Sequence, residues 1–217
     1  MILAALAAAS AGGTRVSPAA QTLDRVVASI GHTAITAIDV EQEYRFERFL
    51  DAQWPPPPPQ PANLADAREH LTHQILLNGE ENPGPADRAE SEKAAAERLA
   101  ALRKAFGRPE DFQRALQDLG MTETEVLARI AEQELMLRLI DQRLRPAASP
   151  SDDEVAGYYR STFVPEFQKK NGGAAAPPLS EVDAQIREIL IQKRINELLD
   201  QWIEELKPTT NVRFHSF

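Results

Sequence analysis

The 217-residue sequence contains no cysteine. Disulfides, thiolate zinc sites, a cysteine nucleophile and a lipid-modified cysteine are all excluded by that single absence. No apolar run approaches the ~18 residues that a membrane-spanning helix needs. Positive charge is also in short supply, with 24 Lys and Arg against 33 Asp and Glu and a formal net charge of -9. Binding a nucleic-acid backbone requires a clustered cationic surface, so any partner is expected to be a polypeptide. Glycine-rich phosphate loops and the Gly-x-Ser-x-Gly nucleophile elbow are likewise missing, and no cofactor is expected. What is present, 42% hydrophobic and 26% charged residues, is the composition of an ordinary folded domain. The length suits one substantial domain or one domain with a lobe and excludes a large multidomain enzyme.

Residues 1–20 begin Ile2, Leu3, Ala4, Ala5, Leu6 and continue through alanines to small residues, the pattern of a signal-peptide core. The basic residues that usually open such a leader are missing, and an Ala-rich tail is the alternative. Export to the periplasm or secretion is the expectation, with the fold confined to residues 21–217.

Residues 23–30 are rich in β-branched and apolar side chains and end at Gly31-His32, a turn signal, after which 34–36 reads as a returning strand. Thr36 with Asp39 resembles a capping box and opens a helix over about 37–52. Five consecutive prolines at 55–59 stop it, and they read as a stiff spacer rather than a ligand for proline-binding domains. Further helices are expected over about 64–77, 86–106 and 109–119, the last closed by Gly120. Thr122-x-x-Glu125 opens a long central helix carrying Val126, Ile130, Leu137, Ile140 and Leu144. Ser151-x-x-Glu154 caps the next one, with Phe163 and Phe167 following it. After the breaker-rich segment 171–178, a cap at Ser180 starts a last helix to about 206, and 211–217 alternates like a terminal strand. Unpaired strand edges are costly, so the two ends of the folded chain are expected to meet. The fold class that results is mainly α, a multi-helix module with a small β element formed by an N-terminal hairpin and a C-terminal strand.

The order of these elements resembles the SurA-type chaperone family and its parvulin-linked foldase relatives. Leu23 to Ile30 with Thr33 to Thr36 looks like that family's opening hairpin. Ser151-Asp152-Asp153-Glu154-Val155 with Tyr158, Tyr159 and Phe163 looks like its Ser-Asp-Glu-Glu-Val segment and the aromatics after it. Residues 179–206, with Gln185-Ile186-Arg187 and Trp202-Ile203, look like its closing helix. The resemblance implies a SurA N-terminal-like helical domain over 21–167 and a linker over 168–179, with residues 180–217 completing the module. It also implies an ATP-independent holdase for unfolded exported or outer-membrane proteins. The chain departs from the isomerase-bearing relatives between Phe167 and Leu179, where a parvulin domain of ~90 residues would otherwise sit. Prolyl isomerase activity is therefore not expected, although isomerase and single-partner scaffold remain the alternatives.

A holdase needs apolar surface with a polar rim. The client-binding candidates are Phe46, Phe49, Met121, Met136, Tyr158, Tyr159, Phe163 and Trp202, because rings and flexible thioethers accommodate varied side chains. Taken one by one, most of these read as core residues. His70 and His73, with Glu69 adjacent, could share a metal, but the spacing lacks the His-Glu-x-x-His order and offers no third ligand, so no metal is expected. A homodimer by lobe exchange is conceivable through the Pro-rich and Gly-rich segments.

Overall fold

The computed structural model describes residues 24–79 and 83–217. The expected leader over 1–20 and the first residue of the expected opening strand lie outside the described residues. Strands β1 (Val26–Ile30) and β2 (Thr33–Thr36) form an antiparallel hairpin. Gly31 sits at its tip with φ 56°, a left-handed conformation that glycine adopts without steric cost. Strand β3 (Arg213–Phe214) pairs antiparallel with the other edge of β1, giving the order β2-β1-β3. The closure of the two ends expected from sequence is thus present, and Gly31 N–H adds a bond to Thr210 O at 2.7 Å. β3 is shorter than the expected 211–217. His215 N–H still donates to Val27 O (3.0 Å), but residue 217 falls opposite the chain ahead of Val26, where β1 has not begun.

The helices are α1 (Ala37–Leu50), α2 (Pro61–Asn78), α3 (Pro85–Ala105), α4 (Pro109–Leu119) and α5 (Glu123–Leu144). They are followed by α6 (Asp152–Tyr158), α7 (Val164–Lys170) and α8 (Leu179–Thr209). The molecule is mainly α with a small three-stranded antiparallel sheet. The capping boxes at Thr36, Thr122 and Ser151 all form, each satisfying helix-end N–H groups reciprocally. α2 starts earlier than expected because Pro61 occupies its first turn, where a missing N–H is harmless. The proline run ahead of it is anchored, since Tyr44 donates its hydroxyl to Pro57 O at 3.0 Å.

Two expectations about the C-terminal half need correction. Ser180 does not cap α8: the helix begins at Leu179 behind Pro178, and Asp183 accepts from Arg187 Nε at 2.7 Å instead of reaching back. The helix capped by Ser151, expected to hold Tyr158 and Tyr159 with Phe163 and Phe167 following it, does not end before those two rings either. It passes through a π-helical turn (Tyr159–Phe163) into α7, and the widened turn brings Tyr159, Phe163 and Phe167 into a stack with ring spacings of 5.8 and 6.0 Å.

Three apolar clusters hold these elements. The first joins the sheet to α1, α2, the end of α5 and the second half of α8 through Val27, Ile30, Tyr44, Leu76, Ile195 and Ile203. The second gathers Phe46, Phe49, Leu99, Phe112, Val126 and Ile130 from α1, α3, α4 and the start of α5. The third is small, with Val155, Val182 and Ile186 between α6 and the start of α8. Helices α1 and α5 each run through both larger clusters, and both line a trough together with α2 and α8.

Candidate functional site

That trough is a cavity of about 600 Å³ bounded by α1, α2, α5 and α8, with Arg98 of α3 also lining it. Its apolar surface comes from Leu50, Leu77, Met136, Leu137, Ile140, Leu199 and Ile203. Leu137 is 58% exposed, unusual for a leucine in the middle of a long helix. The charged rim mixes signs, with Arg48, Arg98 and Arg129 facing Glu47, Asp51 and Glu132. A volume in the range of ligand pockets, an apolar floor and a ring of polar groups together can take up an elongated apolar segment.

The sequence candidates divide clearly by position. Phe46 and Phe49 have no exposed surface and lie inside the second cluster, where Phe49 touches Trp54, Phe106 and Phe112. Met121 is half-buried against the same cluster. Tyr158, Tyr159 and Phe163 are half-buried around the third cluster, and Trp202 is buried in the first with the Arg143 guanidinium 4.1 Å from its ring centroid. Among the eight, Met136 alone lines the cavity. The sequence reading placed Leu137, Leu199 and Ile203 on apolar stripes or in the closing helix without marking them as groove residues. Stripe width shows that a face is apolar, whereas its coverage depends on where neighbouring helices diverge.

At the end of the cavity formed by α1 and α2 lies a polar cluster. Glu43 and Glu47 are one turn apart on α1 and share a face, and His70 of α2 turns its Nδ1 toward both. The ring nitrogen is 2.8 Å from Glu47 Oε1 and 3.1 Å from Glu43 Oε1. Glu43 is fully buried, an expensive position for a carboxylate, and Arg129 of α5 pairs with its Oε2. Arg129 also lies 4.1 Å from the centroid of the Phe46 ring. Burial lowers the Arg129 pKa from its usual value, partly offset by Glu132. His73 likewise has a lowered pKa, chiefly through burial, with Glu69 acting in the opposite direction. The His70–His73 pair, considered from spacing and set aside, is not what the structure assembles around His70; the carboxylates facing it come from α1. Glu43 could have been found in the sequence, because it lies in register with Val40 and Phe46 on the buried face of α1.

No family model, curated protein or solved structure matches this chain.

Proposed function

We propose that this protein is an ATP-independent holdase of the SurA type, acting on unfolded exported or outer-membrane proteins in the periplasm or outside the cell and carrying no prolyl isomerase activity. The observation that carries this reading is the trough between α1, α2, α5 and α8, with its apolar floor and mixed-charge rim. Backbone groups of an extended client keep their contact with water at such a rim while its apolar side chains enter the floor. The connection between α7 and α8 supports the reading without an isomerase. It is a short loop, held by the Tyr159 hydroxyl donating to Pro177 O at 2.9 Å.

The test is suppression of aggregation of an unfolded outer-membrane protein diluted from urea, without nucleotide. A holdase lowers light scattering in proportion to its concentration. No effect at stoichiometric excess sinks the proposal, and acceleration of peptidyl-prolyl isomerisation above the uncatalysed rate favours the isomerase alternative.

A further inference from the structure

We propose that Glu43, Glu47 and His70 form a zinc site that joins α1 to α2 at the end of the cavity. Each residue offers one ligand atom, and these atoms all lie within 4.8 Å of one another. Bonds of about 2.0 Å to oxygen and imidazole nitrogen in a tetrahedral site place neighbouring ligand atoms about 3.3 Å apart. The observed separations of 2.8 and 3.1 Å from His70 Nδ1 reach that value by moving side chains a few tenths of an ångström.

The independent sign of a missing partner is Glu43 itself. Its carboxylate is fully buried, and its Oε1, although close to the ring nitrogen, has no hydrogen-bond partner among the described residues. Buried polar atoms left in this state are uncommon and costly. The other oxygen is held by Arg129, which fixes the carboxylate with Oε1 aimed at His70, the arrangement in which a ligand oxygen is oriented by a hydrogen bond on its partner oxygen. On the far side of the imidazole, Nε2 is 3.2 Å from the Gln74 side-chain amide, which can accept from Nε2–H once the amide is turned. Metal binding through Nδ1 selects that tautomer. Two carboxylates with one imidazole suit a borderline divalent ion, and charge favours it: two anionic ligands and one arginine leave a net negative site before the ion enters. Glu47 and His70 both line the cavity, so the fourth position faces it and takes water.

The proposal is independent of client binding, and its experiment contains no client. Zinc is titrated into the chelator-treated full chain against a chromophoric competitor, with circular dichroism of every variant. One zinc per chain is expected, with affinity falling about tenfold or more in His70→Ala and Glu47→Gln and staying within twofold in His73→Ala and Glu69→Gln. Glu43→Gln is expected to lose binding too, but it disturbs the Arg129 pair, so the two partly exposed ligands carry the decision. If either of those variants fails to fold, the other decides. Absence of stoichiometric binding at micromolar zinc overturns the site. Wild-type affinity in a folded His70→Ala or Glu47→Gln overturns it as well, and equal losses in His73→Ala move the ion to the histidine pair of α2 and overturn this ligand assignment.

Discussion

Arg145, at the end of α5, and Glu188, on α8, form a two-pronged ion pair in which both guanidinium Nη atoms donate to the two carboxylate oxygens at 3.0 Å. The same arginine donates from Nε to Asp141 at 2.9 Å, so three residues tie the last turn of the central helix to the closing helix. Arg145, aided by Gln192, holds the Glu188 carboxyl down to about 2. A depressed carboxylate stabilises the fold above its unfolded value and loses that contribution as pH falls through its folded value. The contribution of Glu188 is therefore present above about 4.5 and lost on the way to about 2. Glu188→Gln is expected to lower Tm modestly near neutral pH, because the pair is exposed and screened by solvent. The gap to the wild type should close as the solution is acidified through that window. Thermal melts of both proteins across the acid range check this, and a gap independent of pH would contradict it.

Phe49 contacts three other rings, at centroid distances of 5.2 Å to Phe106, 5.7 Å to Phe112 and 6.1 Å to Trp54. It is the point where α1 meets α4 and the turn after α3. Phe49→Ala removes a fully buried ring and leaves a cavity that rigid neighbours cannot refill, at a cost of about 3–5 kcal/mol. Urea unfolding followed by tryptophan emission measures it, and a loss below about 1 kcal/mol would mean that the cluster collapses around the gap.

Local signals in the sequence located most helices, because caps and breakers act within a few residues. Thr36, Thr122 and Ser151 each cap the helix that their pattern announces, and Gly120 closes α4 at φ 76°. The Ser180 signal failed since Pro178 already fixes an extended residue ahead of the helix and Arg187 takes the Asp183 carboxylate. The candidate site was less legible. Phe46 and Phe49 belong to the same apolar stripe as any groove-lining ring would, and only the approach of α3 and α4 decides that they are covered. Bringing His70 to Glu43 and Glu47 depends on the packing of α2 against α1 across the proline run, which no spacing within either helix encodes.

The Glu43–Arg129 pair crosses from α1 to α5 at the wall between the two larger clusters. Arg129→Met leaves a fully buried carboxylate without its cation and is expected to cost about 3–5 kcal/mol. The double variant Glu43→Leu with Arg129→Met removes both charges and should recover most of that loss, since a well-packed apolar pair replaces buried ions at little net cost. Urea denaturation of the two single variants and the double variant completes the cycle. Strict additivity of the two single losses would show that the residues are energetically independent.

Leu137 offers a way to alter the trough without touching the cores. It is 58% exposed, stands on α5 and lines the cavity, so Leu137→Glu buries no charge and should change stability by no more than about 0.5 kcal/mol. A carboxylate placed there confronts the apolar side chains of a client with a group that must be desolvated. Under the holdase proposal, suppression of client aggregation should therefore weaken several-fold. Ile38→Glu is the matched control, since Ile38 is 52% exposed on α1 and does not line the cavity. Light-scattering assays at equal concentrations compare the two with the wild type. Undiminished protection by Leu137→Glu, or equal weakening by both variants, would separate client binding from this trough, because loss of generic apolar surface would then account for the effect as well as the groove does.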